Sequence, residues 1–412
     1  MKNKVIVLGC SSGGLAVIRA LGKRGLHVIA LSHDPHDIGL SSKYVGEVAI
    51  CPHPRNLDAF LEFMLEKASL WSDLLIIETG DYYAEALSKL KPELSKHYRF
   101  VTQDWDVLSL FLEKENTYKL AVECGVPCPK TYYPESLEHL KTMQKEISFP
   151  CIIKPTQSHA FVARFKTKLF VVHTFDQLLE QYSRCLEAEL PVILQEIVPG
   201  DDTTYERVHI YLNSKGKPGV EVYHKTLRLS PPRYGVMRVG ATVEPLPEAR
   251  ELAYRLLEHA GYHTGVACFQ FKRNERTGEL ILIEVNGRIP RSVQIDMGAE
   301  VDVPWIIYQD IVKDVQLPLE PYQETTWIEL WPDILNKLVK DEKKFSDIRE
   351  FIAPYLSSNK TFAIFSWSDL KPFLKQMSLL PKIAKRKMKV KSPSETTPLT
   401  EQPNKISRHE LA

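Results

Sequence analysis

Apolar and polar positions in the first hundred residues follow the pattern of a parallel α/β sheet. Residues 5–8 are continuously apolar, as in a strand buried on both faces, and residues 15–23 show the period of a helix. A second apolar strand is predicted at 28–31. The same pattern predicts three more strands, at 48–50, 74–77 and 100–101, and two more helices, at 57–68 and 82–91.

Two turns at the carboxyl ends of these strands carry candidate ligand-binding groups. The first, residues 9–14 with the sequence GCSSGG, can place backbone N–H groups against an anion. Its spacing is not that of a dinucleotide-binding GxGxxG motif, so it favours a scaffold turn that at most holds a carboxylate substrate. The second turn contains Asp81, which either contacts a substrate or caps the next helix.

The most informative alternation lies in residues 266–291, VACFQFKRNERTGELILIEVNGRIPR. Two strand-like runs flank a turn, and a three-residue loop at 276–278 would place Gln270 opposite Glu284. If side chains alternate strictly, three residues of the second strand lie on the same face as Gln270: Leu282, Glu284 and Asn286. Amide and carboxylate oxygens suit a hard cation such as Mg²⁺. The alternative is a half-exposed hairpin whose polar face only meets water.

This hairpin resembles the metal-binding hairpin of the ATP-grasp superfamily, which has Glu or Gln on one strand and Glu-x-Asn followed by Arg on the other. Gln270 precedes Glu284 by fourteen positions (284 − 270), and Asn286 and Arg288 complete the motif. Gly287 stands where the family usually has proline. The version with Gln is most similar to the synthetase domains of carbamoyl phosphate synthetase. The motifs near residues 80 and 126 are similar to the carboxylate–amine ligases, a group that includes D-aspartate ligases.

The resemblance implies an α/β protein with a Rossmann-like N-terminal domain, followed by a two-lobed α+β ATP-grasp domain. The N-terminal domain is expected at 1–111, the small lobe at 112–200 and the large lobe with the metal hairpin at 201–330. A C-terminal helical extension would occupy 331–391. The polar segment 392–412 is expected to be disordered.

The resemblance also implies a nucleotide site. Mg²⁺, with Mn²⁺ as a possible substitute, would be held by Gln270, Glu284 and Asn286. Lys154, at the end of an apolar strand, would meet adenine and the α-phosphate. Backbone groups near Ile197 and Val198 would bind adenine, and the carboxylate of Glu196 or Asp202 would hold the ribose hydroxyls.

Several cations are expected near the phosphates and the substrate. Arg288 and Arg291 follow the second strand as charge for the phosphates, and Arg288, two residues past Asn286, is expected on the metal face at the γ-phosphate. The segment after Lys154 lacks the usual glycine-rich flap, and Lys168 or Lys166 would supply its charge. Lys119 or Lys114 either reaches phosphate or is a solvated helix charge. The loop predicted at 228–238 has three arginines, which bind an anion or face solvent.

Composition narrows the class of protein. A chain of 412 residues, 44% of them hydrophobic, can bury the cores of two or three domains. A net charge of +1 argues against nucleic-acid binding. Seven scattered cysteines and the lack of an apolar stretch of about 20 residues predict a cytoplasmic protein without a transmembrane segment. The basic amphipathic segment 369–391 either touches a membrane surface or packs on the body.

The function implied by the resemblance is ligation of a carboxylate to an amine through an acyl phosphate, with ATP converted to ADP and phosphate. The substrates would be small molecules, and a homodimer is possible. Two other classes stay open at this point. One is an inactive ATP-grasp fold that serves as a nucleotide-binding regulator or scaffold, and the other is an NAD-dependent oxidoreductase.

Overall fold

The computed structural model describes residues 3–156, 158–340 and 348–389, and the described residues form three β-sheets. The predicted disordered segment, 392–412, lies outside the described residues. Among the described residues, no helix combines the length and the apolarity that crossing a membrane requires.

The N-terminal part of the chain forms a parallel sheet with helices, as the pattern predicted. Its elements are β1 (Lys4–Leu8), α1 (Ser12–Lys23), β2 (His27–Ser32), β3 (Val45–Ile50), α2 (Leu57–Trp71), β4 (Leu75–Glu78), α3 (Asp81–Lys89) and α4 (Lys91–Leu94). The strand order is β3-β2-β1-β4, and every pair is parallel. The strand predicted at 100–101 is wrong, because Arg99 makes only an isolated bridge to Leu75.

The middle of the chain forms a smaller, antiparallel sheet with helices. Its elements are α5 (Trp105–Leu112), α6 (Lys114–Glu123), β5 (Thr131–Tyr132), α7 (Leu137–Thr142), β6 (Cys151–Pro155), α8 (Ser158–Phe165), β7 (Phe170–Val172), α9 (Phe175–Glu187) and β8 (Val192–Glu196). The strand order is β5-β8-β6-β7. The segment that replaces the glycine-rich flap is therefore largely the helix α8.

The remaining chain builds a seven-stranded sheet. Its elements are β9 (Tyr205–Leu212), β10 (Pro218–Ser230), β11 (Val236–Thr242), α10 (Pro247–His259), β12 (Gly265–Arg273), β13 (Leu280–Asn286), α11 (Gln294–Gly298), α12 (Val303–Lys313), β14 (Thr326–Ile328), α13 (Leu330–Lys340), α14 (Ile348–Ile352), β15 (Lys360–Phe362) and α15 (Lys371–Lys389). The strand order is β13-β12-β9-β10-β11-β14-β15. The predicted helical extension is thus partly wrong, since β15 adds a strand to this sheet.

The loop predicted at 228–238 is mostly strand. β10 runs to Ser230 and β11 starts at Val236, so only the turn between them is irregular. Arg228 pairs with Asp333 at 2.7 Å, and Arg238 pairs with Glu329. The predicted choice between an anion-binding loop and a solvated loop therefore does not apply to these two arginines.

One hydrophobic core joins the N-terminal sheet to the seven-stranded sheet. Val17 and Leu21 of α1 pack in the same buried cluster as Tyr211 of β9 and Ile307 of α12. The burial of these apolar surfaces stabilises the docking of the two sheets. It also brings the carboxyl ends of the parallel strands toward β13.

The C-terminal segment docks on α1 through a buried ion pair. Arg19 Nε lies 2.9 Å from Asp369 Oδ2, which also accepts a hydrogen bond of 2.6 Å from Ser42. Lys375 of α15 donates to the carbonyl of Asp37 at 2.9 Å. The first turns of α15 are therefore packed on the body, as one of the two predicted alternatives states. Membrane contact by this helix stays a prediction.

Candidate active site

The β12–β13 hairpin places Gln270 opposite Glu284, as predicted, although the predicted loop is wrong. The hairpin closes between Asn274 and Glu279, where the N–H of Asn274 donates to the carbonyl of Glu279 at 2.9 Å. This turn shifts the register by one residue, and a β-bulge at position 283 shifts it back.

The same bulge corrects the predicted faces of β13. Leu282, expected beside Glu284, is fully buried and packs in the core cluster of Phe269. Ile283 faces the cavity in its place, together with Glu284 and Asn286. Without the extra residue, the alternation of β13 would turn Glu284 into the core.

The polar face of the hairpin lines a cavity of about 390 Å³ between the antiparallel sheet and the seven-stranded sheet. Nine of the predicted site residues line it: Lys154, Lys168, Glu196, Val198, Gln270, Glu284, Asn286, Arg288 and Arg291. Four charged residues that the sequence did not single out for this site also line it: Asp81, Arg207, Lys272 and Glu329. For Asp81, the sequence predicts only a substrate contact or a helix cap.

Each of the three predicted metal ligands has a side-chain oxygen that can bind a cation. Gln270 Oε1 accepts from Arg207 at 2.9 Å, and Asn286 Oδ1 accepts from Arg288 at 3.0 Å. Each amide oxygen keeps a second lone pair. The carboxylate of Glu284 has no hydrogen-bond or ion-pair partner among residues 3–156, 158–340 and 348–389. This donor set fits Mg²⁺, which prefers oxygen ligands.

Lys154 enters the cavity from β6 and is held by a neighbouring strand. Its Nζ donates to Gln195 Oε1 at 2.5 Å, and Gln195 Nε2 in turn donates to Thr131 at 2.9 Å. Burial, helped by the nearby Lys114 ammonium, lowers the pKa of Lys154 to about 8, while Glu284 acts to raise it. Burial also lowers the pKa of Lys168.

Lys272 fixes the segment that follows β8. Its Nζ donates to the carbonyl of Val198 at 2.9 Å and to the carbonyl of Gly200 at 2.7 Å. Glu196 accepts from the N–H of Lys130 at 2.8 Å and lines the cavity. This geometry keeps Glu196 as a candidate for the ribose hydroxyls.

The structure does not bring Asp202 or Lys119 into the cavity. Both carboxylate oxygens of Asp202 accept backbone N–H groups, from Leu229 at 2.8 Å and from Arg233 at 2.7 Å. Asp202 thereby clamps the turn between β10 and β11. Lys119 points away on α6 and pairs with Glu115 at 2.7 Å, because only one face of that helix meets the core.

Lys114, the alternative to Lys119, lies at the cavity wall instead. Its Nζ donates to the carbonyl of Pro155 at 3.3 Å. Since Lys114 is the first residue of α6 and Lys119 lies five positions later, the two side chains cannot share a face. Sequence position alone does not reveal which face is inside.

Two acidic residues connect the predicted arginines to the rest of the fold. Arg288 Nε lies 2.7 Å from Asp81 Oδ1, and Arg291 lies 2.6 Å from Glu329. Although burial acts to raise the pKa of Asp81, the Arg288 guanidinium prevails and lowers it. The helix-cap alternative for Asp81 is wrong, because Gly80 is the N-cap of α3.

A second cavity of about 670 Å³ adjoins the first at the carboxyl edge of the parallel sheet. The two share Asp81, Lys114, Ile283, Glu284 and Asn286. The second cavity adds charged and aromatic groups from the N-terminal part, among them Arg55, Tyr82, Glu85, Lys89 and Trp105.

The glycine-rich turn of the N-terminal sheet is covered by the chain that follows the hairpin. A Cβ atom on Gly13 would lie 3.3 Å from Arg291 Cα and from the carbonyl oxygen of Pro290. Arg291 Nε also donates to Ser12 Oγ at 3.2 Å. The space that a dinucleotide pyrophosphate needs at this turn is thus occupied, which disfavours the oxidoreductase alternative.

Comparison with known proteins agrees with this geometry. No model of a known protein family matches the sequence. The chain is 25% identical, over 325 residues, to a D-aspartate ligase of Enterococcus faecium (strain Aus0004), which covers 73% of this chain and 75% of that protein.

Two solved structures show the same fold. An L-amino acid ligase from Bacillus licheniformis superposes with a TM-score of 0.58 at 12% identity, covering 76% of this chain and 74% of the other. An N5-carboxyaminoimidazole synthetase from Staphylococcus aureus, complexed with ADP, superposes with a TM-score of 0.62 at 12% identity, covering 84% and 86%.

These relatives and folds confirm the predicted resemblance to the ATP-grasp superfamily. Ligases among the relatives support the predicted ATP-dependent joining of a carboxylate to an amine. The inactive-scaffold alternative receives no support, because the residues that the chemistry requires meet in one cavity.

Proposed function

We propose that the first cavity binds ATP with Mg²⁺ and that ligation proceeds through an acyl phosphate. One observation supports this proposal above all. Gln270, Glu284 and Asn286 lie on one face of a cavity that is also lined by many lysine and arginine side chains. Mn²⁺ is a candidate to replace Mg²⁺, because it also accepts oxygen ligands.

The charge of the cavity supports a polyphosphate ligand. Seven cationic side chains line it, Lys114, Lys154, Lys168, Arg207, Lys272, Arg288 and Arg291, against four anionic ones, Asp81, Glu196, Glu284 and Glu329. The excess of three positive charges complements the charge of a nucleoside triphosphate.

The nucleotide would lie with its base against β8. Ile197, Val198 and Glu196 line the cavity, which supports adenine contacts by the backbone of the first two and a ribose contact by the third. Lys154 would contact the α-phosphate from β6, and Lys168 would cover the phosphates from the neighbouring segment. These roles leave the hairpin for the β- and γ-phosphates.

The chemistry follows from the poor reactivity of a carboxylate. A carboxylate oxygen attacks the γ-phosphorus, the bond to the bridging oxygen breaks, and ADP leaves. The amine nitrogen then attacks the acyl carbon, phosphate leaves, and the nitrogen loses a proton. A bound Mg²⁺ would neutralise phosphate charge during the transfer. Arg288 and Arg291 are proposed to hold the anionic oxygens of the acyl phosphate.

We place the carboxylate or the amine substrate in the second cavity. Arg55 stacks on Tyr82, with the guanidinium carbon 5.4 Å from the ring centroid, and offers a charge for a carboxylate. Asp81 and Glu85 offer charges for an ammonium group. A zwitterionic amino acid suits this mixture, and the similarity to a D-aspartate ligase makes aspartate of either hand the first compound to test.

The predicted domain boundaries and the predicted cellular compartment are part of this proposal. A Rossmann-like domain (1–111) would present the substrate cavity, and the lobes at 112–200 and 201–330 would close on the nucleotide. The seven cysteines are all free thiols, which supports a reducing compartment such as the cytoplasm. A homodimer remains part of the proposal, to be tested by light scattering.

Trapping of the intermediate tests the proposal. Amino and hydroxy acids are supplied with ATP, Mg²⁺ and hydroxylamine in place of the amine. The expected products are ADP and a hydroxamate, and carboxylate oxygen labelled with ¹⁸O should appear in the released phosphate. The variant Glu284→Gln serves as the inactive control. Formation of AMP and pyrophosphate would overturn the acyl-phosphate mechanism.

A further inference from the structure

Arg207 differs from the other arginines around the cavity in its partners. Arg288 pairs with Asp81, while Arg291 and Arg238 share Glu329, and Arg228 pairs with Asp333. Arg207 is only 7% exposed, yet it forms no ion pair with any carboxylate in the described part of the chain. Its guanidinium contacts Thr226, Met237 and Gln270 instead.

A guanidinium buried in this way is costly. Removing a cation from water without an opposite charge disfavours the folded state, and arginine cannot escape by losing its proton. The buried carboxylate of Asp296 does not compensate, since it is bound to His209 at 2.8 Å. The neutral oxygens of Thr226 and Gln270 satisfy hydrogen-bond donors, and the carboxylate of Glu284 attracts the guanidinium without contacting it. An anion that enters the cavity would supply the direct ion pair that the guanidinium lacks among the described residues.

The sheet fixes where that anion must lie. Arg207, Gln270 and Glu284 are register partners on the adjacent strands β9, β12 and β13. Adjacent strands lie about 4.8 Å apart, so the backbones that carry Arg207 and Glu284 are about 10 Å apart, with Gln270 between them.

We propose that Arg207 is a catalytic residue that binds the γ-phosphoryl group of ATP during transfer. This inference rests on the proposed function of the cavity. The oxygens of the transferring group would accept hydrogen bonds from the guanidinium, which stays in place from ATP to acyl phosphate. The assignment moves the γ-phosphate from Arg288, whose donors already hold Asp81 and Asn286.

Binding and stability measurements on Arg207→Met test the role. A non-hydrolysable ATP analogue should bind at least tenfold more weakly than to the natural protein, whereas ADP affinity should change less than twofold. Turnover should fall at least a hundredfold, with a smaller change in KM. The unliganded melting temperature should stay or rise, because a buried unpaired charge has been removed. A purely structural arginine would instead give a lower melting temperature and equal losses for both nucleotides.

Two further variants complete the test. Arg207→Lys keeps the charge and should retain more turnover than Arg207→Met, and it replaces that variant should the latter not fold. Lys225→Met, on the neighbouring strand and outside the cavity, is the matched control with unchanged kinetics. Normal turnover of Arg207→Met overturns this inference alone. Failure of the natural protein to release ADP with any carboxylate overturns the proposed function instead.

Discussion

The two walls of the nucleotide cavity are built in different ways. The hairpin wall lies on adjacent strands of one sheet, where Arg207, Gln270 and Glu284 are fixed by register. The opposite wall gathers Lys154 from β6, Glu196 from β8 and Lys168 from a turn. The hairpin wall is rigid because β9 and β12 are paired on both sides and the edge strand β13 is paired with β12, whereas the opposite wall depends on how the smaller sheet sits against the larger.

This difference suggests a division of labour. A metal ion and a transferring phosphoryl group need ligands held within a few tenths of an ångström, which a paired sheet provides. Adenine and ribose need contacts that allow entry and release. We therefore expect variants of the hairpin wall to lose turnover and variants of the opposite wall to lose nucleotide affinity.

The largest effect is expected for Glu284→Gln. Loss of the charged ligand should lower turnover by about 10²–10⁴-fold, equivalent to several kcal/mol of transition-state stabilisation, while the fold stays intact. Turnover is followed by ADP release, and the fold by circular dichroism. Glu279→Gln, at the exposed turn of the same hairpin, is the control. Near-natural turnover of Glu284→Gln would remove the metal from this wall.

Lys154→Met should act mainly on affinity. Loss of a charged hydrogen bond of about 1.5–3 kcal/mol should raise KM for ATP about 10–100-fold with a smaller change in turnover. Lys119→Met, which removes an exposed lysine outside the cavity, should leave both unchanged. A fall in turnover without a change in KM would contradict the division between the walls.

The pH dependence of the natural enzyme also tests the role of Lys154 in nucleotide affinity. Because the pKa of Lys154 is lowered to about 8, its ammonium is charged below that pH and neutral above it. We expect kcat/KM for ATP, which reports the free enzyme, to fall as pH rises through about 8. Lys154→Met should lack this step. A step that persists in the variant belongs to another group.

Variants of two carboxylates test which of them contacts the nucleotide and which only stabilises the fold. Asp202→Ala leaves two backbone N–H groups without their acceptor and should lower the free energy of unfolding by about 1–3 kcal/mol. Glu196→Gln should raise KM for ATP with little change in melting temperature. The opposite result would return the ribose contact to Asp202.

The smallest effect is expected for a chain shortened after residue 391. The segment 392–412 has few apolar residues with which to pack. Melting temperature and turnover should therefore match those of the full chain. A clear loss of either would show that this segment contributes to the enzyme.

Several features were readable from residues that are close in sequence. The apolar runs predicted β1, β2 and β4, and the motif around Glu284 led to the face that lines the cavity. The pairing of Gln270 with Glu284 was also predicted correctly, but only because two errors in the predicted register cancel. The loop was longer than assumed, and the bulge at position 283 restored the register. A bulge depends on packing on both faces of the strand, which the alternation alone does not show.

The sequence by itself determined which residue types could carry the chemistry, because ligand type and local strand pairing are short-range properties. Only the tertiary structure decided which of the alternatives meet. It brought Lys114 rather than Lys119 to the cavity and engaged Asp202 in a backbone clamp. It also joined Arg288 to Asp81, 207 positions away, and gave Arg207 no carboxylate contact within 3–156, 158–340 and 348–389. Such partners depend on how separate sheets dock, and that is fixed by the burial of a shared core rather than by any local pattern.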